Sequence, residues 1–375
     1  MIYLDHAATT PPTKAALRAA EIGLQVWGNP SSHYDIGFTA RRMIDGARKE
    51  IAESINCEPE EIYFTSGGSE GDNWIIRKTW NPPLPVKKPV VSAFEHPAIL
   101  NAAIARGNYL SVPVERSGIV DPDVLDDILD RHKSEPYGLV SIMTVNNEIG
   151  TIQPIKELAQ VAHKHGLLFH TDAVQAVGHV PLDVKELGVD MLTVSGHKFG
   201  CPKGIGFNYV RKGMTALKSF IAGGHQENNM RAGTENTAYI AAIAVAFAEA
   251  NKCKNVDAVR QMRADLWDSM LIRIPNIDLN GSQRQRIDSN INVCIHGIDA
   301  QTLVALLDSQ GICVSTGSAC SSGIPLPSHV LKAIGLSDED ANSSIRITLG
   351  PENTMDELDF FVKYLQQDVE ALRED

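Results

Sequence analysis

The sequence lacks paired cysteines. Its six cysteines are scattered through 375 residues, and no two of them form a CxxC pair. This spacing argues against a zinc site and against a disulfide framework. We therefore expect no bound metal, and we expect free thiols, which persist in a reducing compartment.

An excess of basic residues and a long apolar run are also lacking. The chain carries 34 Lys and Arg against 46 Asp and Glu, a formal net charge of −12. Nucleic acids and anionic membrane surfaces are bound by clustered Lys and Arg, so we expect neither partner. The longest apolar run, 240–248, is too short to span a bilayer, and residues 1–6 do not resemble a signal peptide. These features predict a cytoplasmic protein.

The length of the chain exceeds what one hydrophobic core usually supports, which predicts two domains. A hydrophobic content of 43% with 21% charged residues is typical of a globular enzyme. Alternating strand and helix patterns from about residue 60 to 210 predict an α/β fold with a mostly parallel central sheet and helices on both faces. We assign residues 1–14 to an N-terminal arm that packs with the small domain, 15–255 to a large domain and 256–375 to a small α+β domain.

Two predicted strands end in residues suited to cofactor chemistry. The apolar run 191–195 is followed by a break that carries Lys198 out of the strand, where its amine could form a Schiff base with a carbonyl cofactor. The run 167–172 ends in Asp172, which could pair with a protonated pyridine nitrogen, so pyridoxal phosphate (PLP) is the natural cofactor. Such strand ends converge on one crevice in an α/β sheet. The alternative is a surface lysine and a helix-capping aspartate.

Small residues mark a candidate phosphate site. Gly68 and Ser69 lead from a predicted strand into a helix, whose first backbone N–H groups are open to an anion. An ordinary loop is the alternative at this position.

Three further side chains could contact the cofactor ring. His96 follows a strand and could stack on a pyridine ring or move protons, or it could simply be hydrogen-bonded. Asn147 could donate to a ring oxygen, or it could be a turn asparagine. Gln175 follows Asp172 by three residues, so a helix beginning there would direct both side chains at one ligand.

The C-terminal part contains a candidate nucleophile and a candidate anion site. Cys320 lies in the small-residue loop 315–323, which predicts an exposed thiol able to attack a bound intermediate, although an incidental surface cysteine is the alternative. Cys294 and Cys313 lie in apolar strand contexts and are predicted to be buried. Arg346 lies in an apolar strand, and a buried arginine needs an anion such as a substrate carboxylate.

Together these residues resemble the cysteine desulfurases of the NifS/IscS type, in the fold-type I PLP-dependent family related to class-V aminotransferases. The similarity spans nearly the whole chain and includes the loop of Cys320. The motifs that carry it are Tyr3-Leu4-Asp5-His6-Ala7-Ala8-Thr9-Thr10-Pro11, Asn29-Pro30-Ser31-Ser32, Phe64-Thr65-Ser66-Gly67, Glu95-His96, Val145-Asn146-Asn147-Glu148-Ile149-Gly150, Asp172-Ala173-Val174-Gln175, Ser195-Gly196-His197-Lys198, Arg231-Ala232-Gly233-Thr234-Glu235-Asn236 and Gly317-Ser318-Ala319-Cys320.

The resemblance implies a role for each candidate residue. Lys198 would bind the cofactor covalently, Asp172 would hold its pyridine nitrogen, and His96 would stack on the ring and act in catalysis. Cys320 would be the nucleophile that takes the sulfur as a persulfide. The remaining implied contacts are Gln175 and Asn147 to the ring oxygen and the substrate, Gly68, Ser69, Ser195 and His197 to the phosphate, Thr234 to the phosphate from a second subunit, and Arg346 with Asn147 to the substrate carboxylate.

The implied activity is removal of sulfur from L-cysteine, giving L-alanine and an enzyme persulfide for an iron-sulfur scaffold or a thiolation enzyme, by a homodimer. Selenocysteine lyase and cysteine sulfinate desulfinase share such a cofactor site and are alternatives. A non-catalytic sulfur carrier or scaffold subunit is a third, against which the presence of Lys198, Asp172 and Cys320 argues. The chain departs from many relatives at 223–229, where Gly-Gly-His-Gln-Glu-Asn-Asn replaces Gly-Gly-Gly-Gln-Glu-Arg-Gly, and at Ser69, which replaces a common threonine. We expect the first departure to affect loop geometry and dimer contacts.

Overall fold

A seven-stranded sheet lies at the centre of the larger part of the chain. The structure is a computed structural model that describes residues 1–80, 85–252, 256–317 and 326–374. The strands in these residues are β1 (Ile2–Tyr3), β2 (Ile62–Thr65), β3 (Lys88–Ser92), β4 (Leu110–Val112), β5 (Tyr137–Ser141), β6 (Leu168–Asp172), β7 (Met191–Ser195), β8 (Gly206–Val210), β9 (Ile277–Leu279), β10 (Asn290–Ile295), β11 (Ile312–Cys313) and β12 (Ser344–Thr348).

The helices cover this sheet and a second, smaller one. In the described ranges they are α1 (Lys14–Gln25), α2 (Asp35–Ser54), α3 (Gly68–Lys78), α4 (Pro97–Ala105), α5 (Pro122–Arg131), α6 (Ile155–Lys164), α7 (Val184–Leu187), α8 (Thr237–Asn251), α9 (Val256–Arg273), α10 (Ala300–Ser309), α11 (His329–Ala333), α12 (Asp338–Asn342) and α13 (Met355–Glu374). None of the described helices is both long and apolar enough to cross a membrane.

The strand order of the large sheet is β2-β8-β7-β6-β5-β3-β4. The pairs from β7 to β4 are all parallel, whereas β8 runs antiparallel to both of its neighbours. The connection 196–205 between β7 and β8 explains this reversal, because a parallel crossover needs a dozen or more residues. The predicted α/β fold with a mostly parallel sheet is confirmed, and the carboxyl ends of the parallel strands meet at one edge.

The second sheet has the order β12-β10-β9 and is antiparallel. Its apolar residues form a separate core with α9, α10 and α13. The N-terminal arm joins this core, because β1 pairs in parallel with β11 and Leu4 is fully buried in the same cluster. Residues 2–4 therefore lie against the C-terminal part of the chain.

The structure differs from the sequence expectations in local detail. No helix begins at Gln175: residues 174–179 form turns, and Asp172 Oδ1 accepts a hydrogen bond from Val174 N, a local bond that competes with helix formation. Cys313 is only half-buried, although Cys294 is buried as predicted.

Candidate active site

A cavity of about 850 Å³ lies at the carboxyl ends of the parallel strands. It brings together most of the residues singled out from the sequence. Those that line it are Gly68, Ser69, His96, Asn147, Asp172, Gln175, Ser195, His197, Lys198 and Arg346. Thr234 is exposed and is not among the residues that line this cavity, and Cys320 lies outside the described residues.

Lys198 is held over the cavity by the N-terminal arm. It closes a single turn of 3₁₀ helix, Gly196–Lys198, directly after β7. Its Nζ donates to the carbonyl oxygens of Ala7 at 2.6 Å and Ala8 at 2.9 Å. Burial, and then the nearby Arg346 guanidinium, lower the pKa of Lys198 to about 8. A nucleophilic, neutral amine is therefore accessible near physiological pH.

The arm was not predicted to build the site. The Gln175 side chain also donates to the Ala7 carbonyl, at 2.9 Å, and Thr10 N donates to the His197 carbonyl at 2.9 Å. These contacts use backbone carbonyls and amides, which give no side-chain signal in the sequence. The one available signal is the motif around Ala7 and Ala8, which carries part of the resemblance to cysteine desulfurases.

Asp172 ends β6 and lies in the same region as two other buried acids, Asp72 and Glu95. Burial raises the pKa of Asp172 to about 6, opposed by the hydrogen bond from Val174 N and by the charge of Lys198. Burial raises the pKa of Glu95 to about 8, and burial together with the Asp172 charge raises the pKa of Asp72 well above its usual value. At pH 7 Glu95 is therefore mostly protonated, while Asp172 is mostly ionised.

Asp72 and Glu95 were missed as site residues. Glu95 accepts hydrogen bonds from Ser92 Oγ at 2.5 Å and from Met143 N at 2.8 Å, and it lies beside His96 in the chain. Asp72 lies on the buried face of α3 and lines the cavity. The sequence could have indicated Asp72, because an acid on the buried face of a helix needs a partner or a raised pKa.

His96 and His197 are neutral at pH 7. His96 caps α4, and its Nδ1 accepts from Ala98 N at 3.1 Å, so Nε2 carries the hydrogen of the neutral ring. Desolvation by the cavity walls, and then Lys198, lower the pKa of His96 to about 4. The same two causes lower the pKa of His197 to about 4, and its Nδ1 lies 3.1 Å from Thr9 Oγ1.

The start of α3 forms a cradle for an anion. Gly67 precedes the helix with φ +152, a conformation that favours glycine, and a Cβ added to Gly68 would lie 2.9 Å from Val174 Cγ2. The open N–H groups and the positive end of the helix dipole face the same cavity as the hydroxyl-bearing Ser69 and Ser195. This donor set suits a phosphate.

Arg346, on β12, has a side chain that is only 5% exposed. Its Nη2 donates to Asp5 Oδ1 at 2.7 Å, and its Nη1 donates to the Asn147 carbonyl at 3.1 Å. The anion predicted for Arg346 is thus supplied in this structure by Asp5 of the arm, which was missed. Arg346 also lines the cavity, and its guanidinium has five N–H donors, more than these two hydrogen bonds use.

The two chain segments that flank Cys320 in sequence both reach the cavity. Gly317 on one side and Leu326 on the other line it. Glu148, also at the cavity, accepts a hydrogen bond from Ser328 Oγ, and a Cβ on Gly317 would lie 2.8 Å from Glu148 Oε2. One buried carboxylate therefore contacts the described residues on both sides of the cysteine loop.

The divergent loop 223–229 adopts a distinctive backbone. Glu227, Asn228 and Asn229 all have positive φ, between 45 and 65. Asparagine tolerates this region better than most residues, so Asn229 can stand where relatives have glycine. The Glu227 carboxylate is buried, forms an ion pair with Arg48 at 2.7 Å and accepts from Phe64 N at 2.9 Å. This pairing anchors the loop to the large sheet.

The comparison with known proteins agrees with this geometry. The profile of the family described as Aminotransferase class-V matches residues 2–361. The chain is a member of the class-V aminotransferase family. It is 41% identical to the cysteine desulfurase IscS of Methanosarcina thermophila over 380 residues, covering 99% of this chain and 93% of that protein.

Solved structures also superpose on nearly the entire chain. A NifS-like protein has a TM-score of 0.90 at 30% identity, over 99% of this chain and all of the other. The structure of SspA in complex with cysteine has a TM-score of 0.82 at 31% identity, over 94% of this chain and 100% of the other. The predicted family and fold are confirmed.

Proposed function

We propose that this protein is a PLP-dependent cysteine desulfurase, which converts L-cysteine to L-alanine and leaves a persulfide on Cys320. The observation that carries the proposal is the meeting of Lys198, Asp172, His96 and Arg346 in one cavity. The identity to cysteine desulfurases over almost the full chain, and the likeness to SspA in complex with cysteine, support cysteine as the substrate.

The residues present fit PLP. The cradle at the start of α3 suits its phosphate, with Gly68, Ser69, Ser195 and His197 as the holding residues. Lys198 has the lowered pKa that a nucleophilic amine needs. Bound PLP supplies an electron sink for the bonds around the substrate's α-carbon.

Asp172 is the acid that would pair with the pyridine nitrogen of PLP. It is largely ionised at pH 7, whereas neighbouring Glu95 is largely protonated, so the negative charge is concentrated on one carboxylate. A single buried carboxylate can stabilise a protonated nitrogen, which keeps the ring electron-withdrawing. Gln175 and Asn147 would contact the ring oxygen, and Asn147 would also contact the substrate.

Arg346 would hold the substrate carboxylate through the donors that Asp5 and Asn147 leave free. Its guanidinium has five N–H donors, and the bonds to Asp5 and Asn147 use one on each terminal nitrogen. His96 would stack on the cofactor ring, and its Nε2 is the nitrogen left to donate to the substrate or to pass it a proton.

Sulfur transfer requires the thiolate of Cys320. The thiolate attacks the sulfur of bound cysteine, a sulfur–sulfur bond forms as the carbon–sulfur bond breaks, and the three-carbon product gains a proton and leaves as alanine. The position of Gly317 at the cavity, three residues before Cys320 in the chain, supports this role.

We also propose that the protein is a homodimer. Thr234 is exposed in the single chain, so it would serve the phosphate site of a partner subunit. Large apolar side chains on and after α1 are also exposed, including Leu24 at 69% and Trp27 at 79%, which is typical of an interface.

The sulfur acceptor would be an iron-sulfur scaffold or a thiolation enzyme. The four described cysteines are all free, which suits the cytoplasm.

The test is the release of alanine and sulfide from L-cysteine by the purified enzyme, with and without a reductant. Wild type should be yellow and active, and Lys198→Ala should lose both properties, whereas Lys212→Ala at an exposed position should keep them. Selenocysteine and cysteine sulfinate serve as competing substrates. A wild-type protein that stays colourless with added PLP would contradict the cofactor assignment, and faster turnover of either competitor would contradict cysteine as the substrate.

A further inference from the structure

A cluster of potential metal ligands lies in the small sheet, away from the cavity. Cys294 is near the end of β10, His296 follows two residues later, and Asp340 is on α12. The Cys294 Sγ, a His296 ring nitrogen and an Asp340 carboxylate oxygen all lie within 4.8 Å of one another. None of the three residues lines the active-site cavity.

The distances between these atoms match the edges of a tetrahedral zinc site. Cys294 Sγ lies 3.6 Å from His296 Nδ1 and 3.9 Å from Asp340 Oδ1, and His296 Nδ1 lies 3.1 Å from Asp340 Oδ1. Zinc bonds of about 2.3 Å to sulfur and about 2.0–2.2 Å to nitrogen and oxygen place tetrahedral ligands about 3.3–3.6 Å apart. The three atoms therefore need shifts of only a few tenths of an ångström to coordinate one ion.

A second carboxylate orients the histidine. His296 Nε2 lies 2.9 Å from Asp278 Oδ2, on the opposite side of the ring from the cluster. Asp278 is on β9, directly across the sheet from Cys294. A carboxylate bonded to the outer nitrogen of a ligating histidine is a regular feature of zinc sites, because it fixes the ring and its tautomer. This contact is independent of the three ligand distances.

We infer that Cys294, His296 and Asp340 form a zinc-binding site, with Asp278 as the group that orients His296. Thiolate, imidazole and carboxylate together favour Zn²⁺ over the hard cations Mg²⁺ and Ca²⁺. Because His296 and Asp340 are partly exposed, water can reach the fourth position. The ion would tie β10 to α12, the helix that leads into β12.

The spacing of cysteines along the chain had argued against a zinc site. The cluster instead combines one cysteine with a histidine two residues later and an aspartate 46 positions from the cysteine. The antiparallel register of β10 with β9 and the placement of α12 bring these groups together. No local sequence motif marks such a site.

The competing explanation is an ion cluster without metal. Asp278 raises the pKa of His296 through their hydrogen bond, and a protonated His296 between two aspartates would make the same contacts. That arrangement assigns no function to the Cys294 thiol. The two explanations therefore differ in whether metal binds and in whether the thiol is needed.

The experiment uses the dialysed, PLP-loaded enzyme under reducing conditions. Zn²⁺ affinity and stoichiometry are measured against a chromophoric chelator, and Co²⁺ is added separately to look for thiolate-to-cobalt charge-transfer absorbance. Wild type should bind one Zn²⁺ per chain and give that absorbance. Cys294→Ser, His296→Ala and Asp340→Asn should each lose the bound zinc, and Asp278→Asn should weaken binding about 10- to 100-fold.

Two controls separate this site from the other thiols. Cys57→Ser removes a half-buried thiol of the large domain, and Cys320→Ser removes the proposed nucleophile; both should bind zinc like wild type. Cys294 is buried, so if Cys294→Ser fails to fold, His296→Ala at a partly exposed position decides the question. The inference is overturned if wild type binds no zinc, or if the folded ligand variants retain wild-type affinity.

Discussion

The lowered pKa of Lys198 gives a prediction that can be worked through quantitatively. With a pKa of about 8 instead of 10.5, the amine of the cofactor-free enzyme is neutral in about 10% of molecules at pH 7, against about 0.03% for an ordinary lysine. Lys198 should therefore react with a small acylating reagent roughly 300-fold faster than an unperturbed amine would in the same place. Its reactivity should rise with pH and level off above about 8.

Two substitutions should move this midpoint in opposite directions. Arg346 lowers the pKa of Lys198, so Arg346→Gln should raise the midpoint and slow labelling at pH 7. Asp5 raises that pKa, so Asp5→Asn should lower the midpoint and speed labelling at pH 7. The opposite signs distinguish the two charge effects from a general loosening of the site, which would raise the pKa of Lys198 toward 10.5 in both variants.

The assay is competitive labelling of cofactor-free enzyme across a pH series, read by peptide mass spectrometry, with exposed Lys14 as the internal reference. A Lys198 midpoint near 10.5 in wild type would refute the reasoning about burial. Shifts of the same sign in Arg346→Gln and Asp5→Asn would refute the assignment of the two charges.

Three further predictions follow from other parts of the molecule. Cys320→Ser should bind L-cysteine and change the cofactor spectrum but form no persulfide; wild-type alanine production, or labelled sulfur on another cysteine, would contradict this. Gly68→Ala should raise the PLP dissociation constant at least tenfold, because its Cβ would lie 2.9 Å from a neighbouring methyl, whereas Gly46→Ala, with open space around it, should not; equal affinities would refute the cradle. Glu227→Gln should leave Arg48 without its counter-charge, lower the free energy of unfolding by about 3 kcal/mol and lower the midpoint of thermal unfolding. An unchanged midpoint would show that the pair is not stabilising.

The sequence predicted the site best where side chains follow parallel strands. Strand periodicity located the strand ends that carry Lys198, Asp172 and His96, and the topology of α/β sheets explains why these three residues line one cavity. Asp5 and the carbonyls of Ala7 and Ala8 were missed because the arm reaches the site through long-range pairing. Neither backbone carbonyls nor a lone aspartate marks such a contact in the sequence.

Local geometry was predicted less well than the fold. The chain after Asp172 has helical spacing to Gln175, yet the Asp172 side chain bonds to Val174 N and the segment turns instead. Both side chains nevertheless line the same cavity. The reversed direction of β8 depends on the length of one connection, which strand periodicity does not report.

The pairing of the arm with the end of the chain has a consequence for how the enzyme matures. Ala7 N donates to Thr348 Oγ1 across 341 positions of sequence, and Leu4 pairs with the same region. During synthesis the arm emerges first. Its contacts with Gln175 and His197 can form once those residues have emerged, but its contacts with β11 and β12 form more than 300 residues later. A nascent chain that lacks β12 should therefore contain a folded large sheet but an incompletely anchored arm, so cofactor binding should be weaker in unfinished chains than in finished ones.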